Sequence, residues 1–200
     1  MEIVLPVTPV VCVHGIFDTS RSLRPLVAAL DAAGFPSVSA LDLRPNDGSG
    51  PIAALAASLG NHVESVLSES GASSVDVVGF SMGALVSRHW IERLGGARSC
   101  RRFVSISGPH AGTLTASFSR LAGIRDMRRG SPLLTDLAEG TPSRGSTEFV
   151  TFRTPYDLMI VPSTSSRLPG VRDVEFPVAL HRWMIRDERV LAAVVHELLR

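Results

Sequence analysis

The stretch from Val75 to Leu85, Val-Asp-Val-Val-Gly-Phe-Ser-Met-Gly-Ala-Leu, constrains this chain more than any other. Apolar, β-branched residues lead into Gly79, Ser81 stands two residues later, and Gly83 follows after two more. Small residues at those two positions let a strand and a helix meet at a sharp turn with the serine at its apex, which is the G-x-S-x-G pattern. An isolated match is also compatible with an ordinary loop. Here, however, a helical pattern (Leu85, Val86, His89, Trp90, Leu94) continues from the turn, so the stretch reads as strand, elbow and helix. Such a turn holds its serine hydroxyl exposed in a strained backbone, at about 1–3 kcal/mol, and the helix aims its first amides and positive dipole end at the same point.

The rest of the chain repeats the same alternation, with valine- and isoleucine-rich runs separated by 3.6-period segments, as in βαβ units with a parallel sheet. Strands are expected near Pro9–His14, Ser37–Leu41, Val75–Gly79, Phe103–Ser107, Glu148–Arg153 and Val171–Phe176. Helices are expected near Ser22–Ala33, Pro51–Ser70, Met82–Leu94, Ser131–Glu139 and Asp187–Leu199. Gly34, Gly71 and Gly95 stand where helices end, and Asp187 where one begins. The expected fold is therefore α/β: a single doubly wound, mainly parallel sheet of about six strands, one domain over 1–200. With 44% hydrophobic residues and a mean hydropathy of +0.22, 200 residues suffice for its core. Two segments stand apart: Thr113–Gly130, a short amphipathic stretch with Leu114, Phe118, Leu121, Ile124 and Met127, and Thr141–Thr147, an exposed loop.

Ligands of open parallel sheets sit beyond the carboxyl ends of the strands, so reactive residues are sought there. After the first strand comes His14-Gly15-Ile16-Phe17. A loop turning there aims the Ile16 amide above Ser81, and the Met82 amide at the helix start supplies a second donor; His14 itself reads as a structural hydrogen-bonder rather than a base. After the fifth strand comes Thr154-Pro155-Tyr156-Asp157, whose aspartate either accepts from a histidine Nδ1–H or caps its own turn. After the sixth comes His181, placed to take the Ser81 proton. Its rival is His110 in Gly-Pro-His-Ala-Gly, because His62, His89 and His196 fall within helices. The order Ser81, Asp157, His181 is the one this kind of elbow requires.

With those residues in view, the chain resembles a compact α/β-hydrolase of the bacterial lipase and esterase branch, without a large cap domain. The resemblance rests on Val13-His14-Gly15-Ile16, Gly79-Phe80-Ser81-Met82-Gly83-Ala84, Ser107–Thr113, Gly130-Ser131-Pro132-Leu133-Leu134, Asp157–Pro162 and His181. It implies a triad of Ser81, Asp157 and His181, with the Ile16 and Met82 backbones as oxyanion hole. Phe80 stands where relatives often carry histidine or tyrosine, and His181 lacks the glycine that commonly precedes it. The implied activity is hydrolysis of acyl esters through an acyl-enzyme. Phe17, Leu114, Phe118, Leu121, Val178, Leu180, Trp183 and Met184 are expected around an apolar acyl chain, and about 113–130 forms a minimal lid. A thioesterase or acyltransferase on the same triad is the alternative, and a catalytically silent binding protein a third reading.

Composition bounds the partners. Twenty Lys+Arg against 19 Asp+Glu give a net charge of +1, with no general pull toward nucleic acid. Arg125, Arg128 and Arg129 form one local cluster, read as a solvated face or as a basic rim toward anionic lipid or carboxylate substrates. Cys12 and Cys100, the latter in a polar connector, read as free thiols. No run approaches 20 apolar residues, and no leader pattern opens the sequence. The expectation is a cytoplasmic chain, or a secreted one if the sequence is a trimmed mature form. Its partner is a small-molecule acyl ester or lipid met at most transiently at a lipid interface, and no cofactor or metal is called for.

Overall fold

Alternation along the strands sorts the apolar residues into two cores. In β1 (Val10–Val13), Val11 and Val13 face one side and Val10 and Cys12 the other, and all four are fully buried, as parallel strands covered on both faces must be. The computed structural model describes residues 8–139 and 143–200. Its sheet has six parallel strands: β1, β2 (Val38–Leu41), β3 (Val75–Phe80), β4 (Cys100–Ile106), β5 (Glu148–Arg153) and β6 (Arg172–Glu175), in the order β2-β1-β3-β4-β5-β6. This is a minimal α/β-hydrolase sheet.

Val11, Val13, Val75, Val77 and Phe103 pack with α2 (Ile52–Ser70), α3 (Met82–Arg93) and α5 (Pro132–Glu139) on one face. Val10, Cys12, Val78, Val104, Ile106 and Phe152 pack with α1 (Arg24–Ala32) and α6 (Glu188–Leu199) on the other. Local chemistry sets the helix ends. Pro25 opens α1, where its missing N–H costs nothing. Gly71 closes α2 in the left-handed region at φ 69°. Asp187 caps α6 by accepting from the Arg189 amide.

Boundaries move in instructive ways. The first helical segment begins as a 3-10 turn at Ser20–Leu23 that runs straight into α1, with Arg24, the residue before Pro25, already helical at φ −50°, ψ −42°. Strand β4 begins three residues earlier than expected, so Cys100 is buried in the sheet rather than lying in a connector. Both cysteines are free, as expected, and burial, with Asp31 nearby, pushes the Cys12 thiol up to about 12. The segment 113–130 is a 3-10 turn, Leu114–Phe118, followed by α4 (Ala122–Asp126). Of the expected loop 141–147, Thr141 and Pro142 lie outside the described residues, and Thr147 is buried, donating its hydroxyl to Cys100 O at 2.8 Å.

The order of strands positions the site. The chain runs from β1 outward to β2, then crosses back to lay β3 on the other side of β1. The loops leaving the carboxyl ends of β1 and β3 therefore diverge, opening the crevice that such a switch point creates. The Gly15–Phe17 loop leaves one strand and Ser81 leaves the other.

Candidate active site

Ser81 sits at φ 54°, ψ −122°, a left-handed conformation rare for a residue with a side chain. Packing enforces it. A Cβ at Gly79 would stand 2.6 Å from Ala84 Cα, and one at Gly83 would collide with the Val13 and His14 carbonyl oxygens. Strand β3, helix α3 and the end of β1 thus meet at van der Waals contact only because both positions are glycine. The Ser81 amide donates to Ile106 O at 2.9 Å, pinning the elbow to β4.

The loop after β1 passes directly beside this serine, since a Cβ at Gly15 would lie 3.1 Å from Ser81 Cβ. Phe17 also adopts a positive φ of 56°, which the sequence did not signal. Asn46 accounts for it: its carbonyl accepts the Phe17 amide and its side-chain amide donates to Asp18 O, each at 2.7 Å. The Phe17 amide is thereby used, whereas among the described residues no protein acceptor takes the amides of Ile16 or Met82, the two expected oxyanion donors. His14 is buried beneath the loop. The Leu43 amide donates to its Nε2 at 2.9 Å, so Nδ1 carries the proton and donates to Gly15 O at 2.7 Å. Its part is structural, as the sequence suggested.

Asp157 and His181 come together from the ends of β5 and β6. His181 Nδ1 donates to Asp157 Oδ2 at 2.7 Å, while Asp157 Oδ1 accepts the Met159 and Ile160 amides at 2.9 and 2.8 Å. The two readings of Asp157, turn cap and histidine partner, are thus both realised, one on each oxygen. Thr154 ties the two loops together by donating its hydroxyl to Val178 O at 2.5 Å. His181 opens a 3-10 turn, His181–Ile185, and its ring stacks on Phe80, the residue before Ser81, with centroids 4.9 Å apart. Phe80, on the inner face of the elbow, is therefore the wall that seats the imidazole. With Nδ1 protonated, Nε2 is left as acceptor. Among the described residues no protein group takes it; contacts between base and nucleophile are often long before substrate binds.

His110 is placed differently. It is buried, its Nε2 meets Ser105 Oγ at 2.7 Å, and burial, reinforced by Arg88 and Arg144, holds it well below the usual imidazole range. His62 and His89 lie in α2 and α3 and are also lowered by burial.

The apolar residues expected around the site divide. Phe17, Leu114, Phe118, Leu121, Leu180 and Trp183 are exposed at the carboxyl ends of the strands, Phe118 to 94% and Phe17 to 67%, whereas Val178 and Met184 belong to the core. That correction follows from position: both lie on the α1/α6 side of the sheet, inside its apolar cluster. Sequence reasoning missed Tyr156, Leu158 and Met159, exposed on the loop around Asp157. Of the arginine cluster, Arg125 and Arg129 are exposed, while Arg128 donates to the carbonyls of Ala116 and Ser119 and is a strut within the 113–130 segment.

Comparison with known proteins agrees with the fold. The mature form of Bacillus licheniformis lipase BlEst2 superposes with a TM-score of 0.83 at 17% identity, covering 99% of this chain and 93% of that one. Aspergillus fumigatus lipase B gives 0.81 at 16%, covering all of this chain but 55% of that one. A pyrethroid hydrolase from Sphingobium faniae gives 0.63 at 14%, covering 96% and 97%. No curated protein matches at the level of sequence. The palmitoyl protein thioesterase family matches residues 9–139, more than half of the chain, from β1 through the elbow to α5. The chain is an α/β-hydrolase and belongs to that family.

Proposed function

We propose that this chain is a serine carboxylester hydrolase of the lipase and esterase kind, with Ser81 as nucleophile, His181 as base and Asp157 as its orienting acid. The observation that carries the reading is the Asp157–His181 hydrogen bond of 2.7 Å, with the imidazole stacked on the residue next to a strained serine. In the first half-reaction Ser81 Oγ attacks the ester carbonyl while His181 Nε2 takes its proton. The carbonyl oxygen becomes an oxyanion facing the Ile16 and Met82 amides, each such donor being worth about 2.7–4 kcal/mol in a tetrahedral transition state. Collapse expels the alcohol, which takes the proton from His181. Water then attacks the acyl-enzyme with His181 again as base, releasing the carboxylic acid and restoring Ser81. No metal or organic cofactor enters these steps.

The exposed apolar residues Phe17, Leu114, Phe118, Leu180 and Trp183 supply contacts for an acyl chain, with 113–130 as a minimal lid. The substrate is a small acyl ester or lipid. Chain-length profiling with p-nitrophenyl esters, soluble and emulsified, tests this. Hydrolysis is expected together with fluorophosphonate labelling of wild type but not of Ser81→Ala, and equal labelling of both would sink the assignment.

A second reading is favoured by one observation, the match to the palmitoyl protein thioesterase family over residues 9–139. Thioesters are cleaved by the same steps with a thiolate as leaving group. Acyl-CoA and S-acyl cysteine peptides assayed beside the oxygen esters decide it, and a higher kcat/KM for the thioesters would make the chain a thioesterase.

A further inference from the structure

The threonine that opens the 113–130 segment does more than cap the turn after it. Thr113 is 4% exposed, and its hydroxyl reaches across to the loop that carries Asp157. It donates to Met159 O at 2.8 Å and accepts the Val161 amide at 2.9 Å. The backbone repeats the join, with the Leu114 amide donating to Val161 O at 3.0 Å. On its other side Thr113 is rooted by its own amide, which donates to Met127 O at 2.9 Å.

The identity of the peptide it grips matters. The Met159 carbonyl belongs to the same peptide unit as the Ile160 amide, and that amide donates to Asp157 Oδ1 at 2.8 Å. A continuous path therefore runs from the Thr113 hydroxyl through the Met159–Ile160 peptide to Asp157 Oδ1, and from Asp157 Oδ2 to His181 Nδ1 at 2.7 Å. The two bonds at Asp157 are buried, a setting in which each bond of such a path polarises the next. We propose that Thr113 is a positioning residue for Asp157, fixing the plane of its carboxylate and thereby the orientation of His181. Thr115, exposed, also donates to Met159 O at 2.8 Å but takes no amide from the Asp157 loop, so its part is auxiliary. The proposal rests on the hydrolase reading of the Ser81 site.

The test compares Thr113→Val, which keeps the shape and deletes the hydroxyl, with Thr113→Ser, which keeps the hydroxyl. Thr113→Val is expected to lower kcat about tenfold to hundredfold on a p-nitrophenyl ester with KM within about twofold, as for a misplaced catalytic group, while Thr113→Ser stays within about threefold of wild type. A role in folding alone would lower the melting temperature without this split. The downfield proton resonance of the short Asp157–His181 bond is expected to broaden or vanish in Thr113→Val and to persist in Thr113→Ser. If Thr113→Val does not fold, Thr113→Ala carries the same comparison, and an equal loss of kcat in Thr113→Ser overturns the proposal, as does wild-type kcat in either deletion variant. Fluorophosphonate labelling of wild type separates the two ways of failing. A labelled, active wild type beside an equally active Thr113→Val refutes the Thr113 role alone, whereas an unlabelled, inactive wild type refutes the hydrolase reading with it.

Discussion

Asp157 holds His181 with one carboxylate oxygen and its own loop with the other: Oδ2 takes the imidazole Nδ1–H at 2.7 Å, and Oδ1 takes the amides of Met159 and Ile160. The division separates two jobs that a substitution can also separate. In Asp157→Asn the side-chain oxygen still serves the two amides, so the loop keeps its shape, but the amide NH2 faces Nδ1 and selects the tautomer with the proton on Nε2. We expect kcat to fall on the order of 10⁴-fold with the melting temperature within a few degrees of wild type. Steady-state hydrolysis of a soluble ester beside a thermal melt checks both, and an active Asp157→Asn enzyme would remove Asp157 from the mechanism.

That pairing marks the boundary of what the residues alone disclosed. The elbow was legible because Gly79, Ser81 and Gly83 obey a steric rule that acts within five residues, and the central strands β1 and β3 because their valines are buried on both faces. Asp157 and His181 were legible by position, since each follows a strand and the sheet is parallel. What stayed hidden depends on contacts distant in sequence. The left-handed Phe17 is held by Asn46 from the next loop, and the grip of Thr113 on the Met159 carbonyl spans 46 residues. The 3-10 turn at His181 reads as coil for a related reason: its side chains Met184 and Ile185 are fixed by core packing rather than by a helical pattern of their own.

Strain at the elbow predicts a trade of stability against chemistry. Glycine adopts φ 54°, ψ −122° freely and serine or alanine does not. Ser81→Gly is therefore expected to be more stable than Ser81→Ala by about 1–2 kcal/mol, within the range for residues held in sparsely populated conformations, while both lose hydrolysis by orders of magnitude. Urea denaturation of the two variants measures the difference. Equal midpoints would mean that the elbow is not strained.

Close approach at Gly83 makes the opposite prediction. A methyl group there meets the Val13 and His14 carbonyl oxygens at the end of β1, backbone atoms that cannot swing aside. Gly83→Ala should force α3 away from the sheet, at about 1–3 kcal/mol as for overpacked cores, and lower kcat by displacing the Met82 amide. Gly71→Ala is a useful contrast, because among the described residues no atom lies within 4 Å of its added Cβ and its φ of 69° is what opposes it. Its loss of stability should leave kcat unchanged.

Exposed aromatic surface near the site predicts a difference between two states of the same substrate. Phe118 is 94% exposed at the end of its 3-10 turn, so Phe118→Asp should change stability by no more than about 0.5 kcal/mol. If that ring meets acyl chains at an aggregate surface, the variant hydrolyses soluble short-chain esters at the wild-type rate and emulsified long-chain esters several-fold more slowly. An equal loss on both would place Phe118 in the acyl site itself.

His110 makes stability depend on pH in a direction that its surroundings determine. Burial, with the Arg88 and Arg144 charges adding to it, depresses its folded-state protonation well below the ordinary value of 6.5. Above that value the imidazole is neutral in both states and adds no pH dependence. As pH falls below it, the unfolded chain takes up a proton that the folded chain resists, so the unfolded state binds more protons and stability declines until the folded-state value is reached. Half-buried His62 and His89 contribute in the same sense. Melting temperatures of wild type between pH 7 and 5 should therefore fall more steeply than those of His110→Gln, which cannot titrate, even though the variant starts from a lower value for want of the Ser105 contact at 2.7 Å. Ester hydrolysis by His110→Gln should persist at neutral pH, in contrast to His181→Ala. A variant whose melting temperature falls as steeply as that of wild type would show that His110 accepts its proton in the folded state, against the burial that disfavours it.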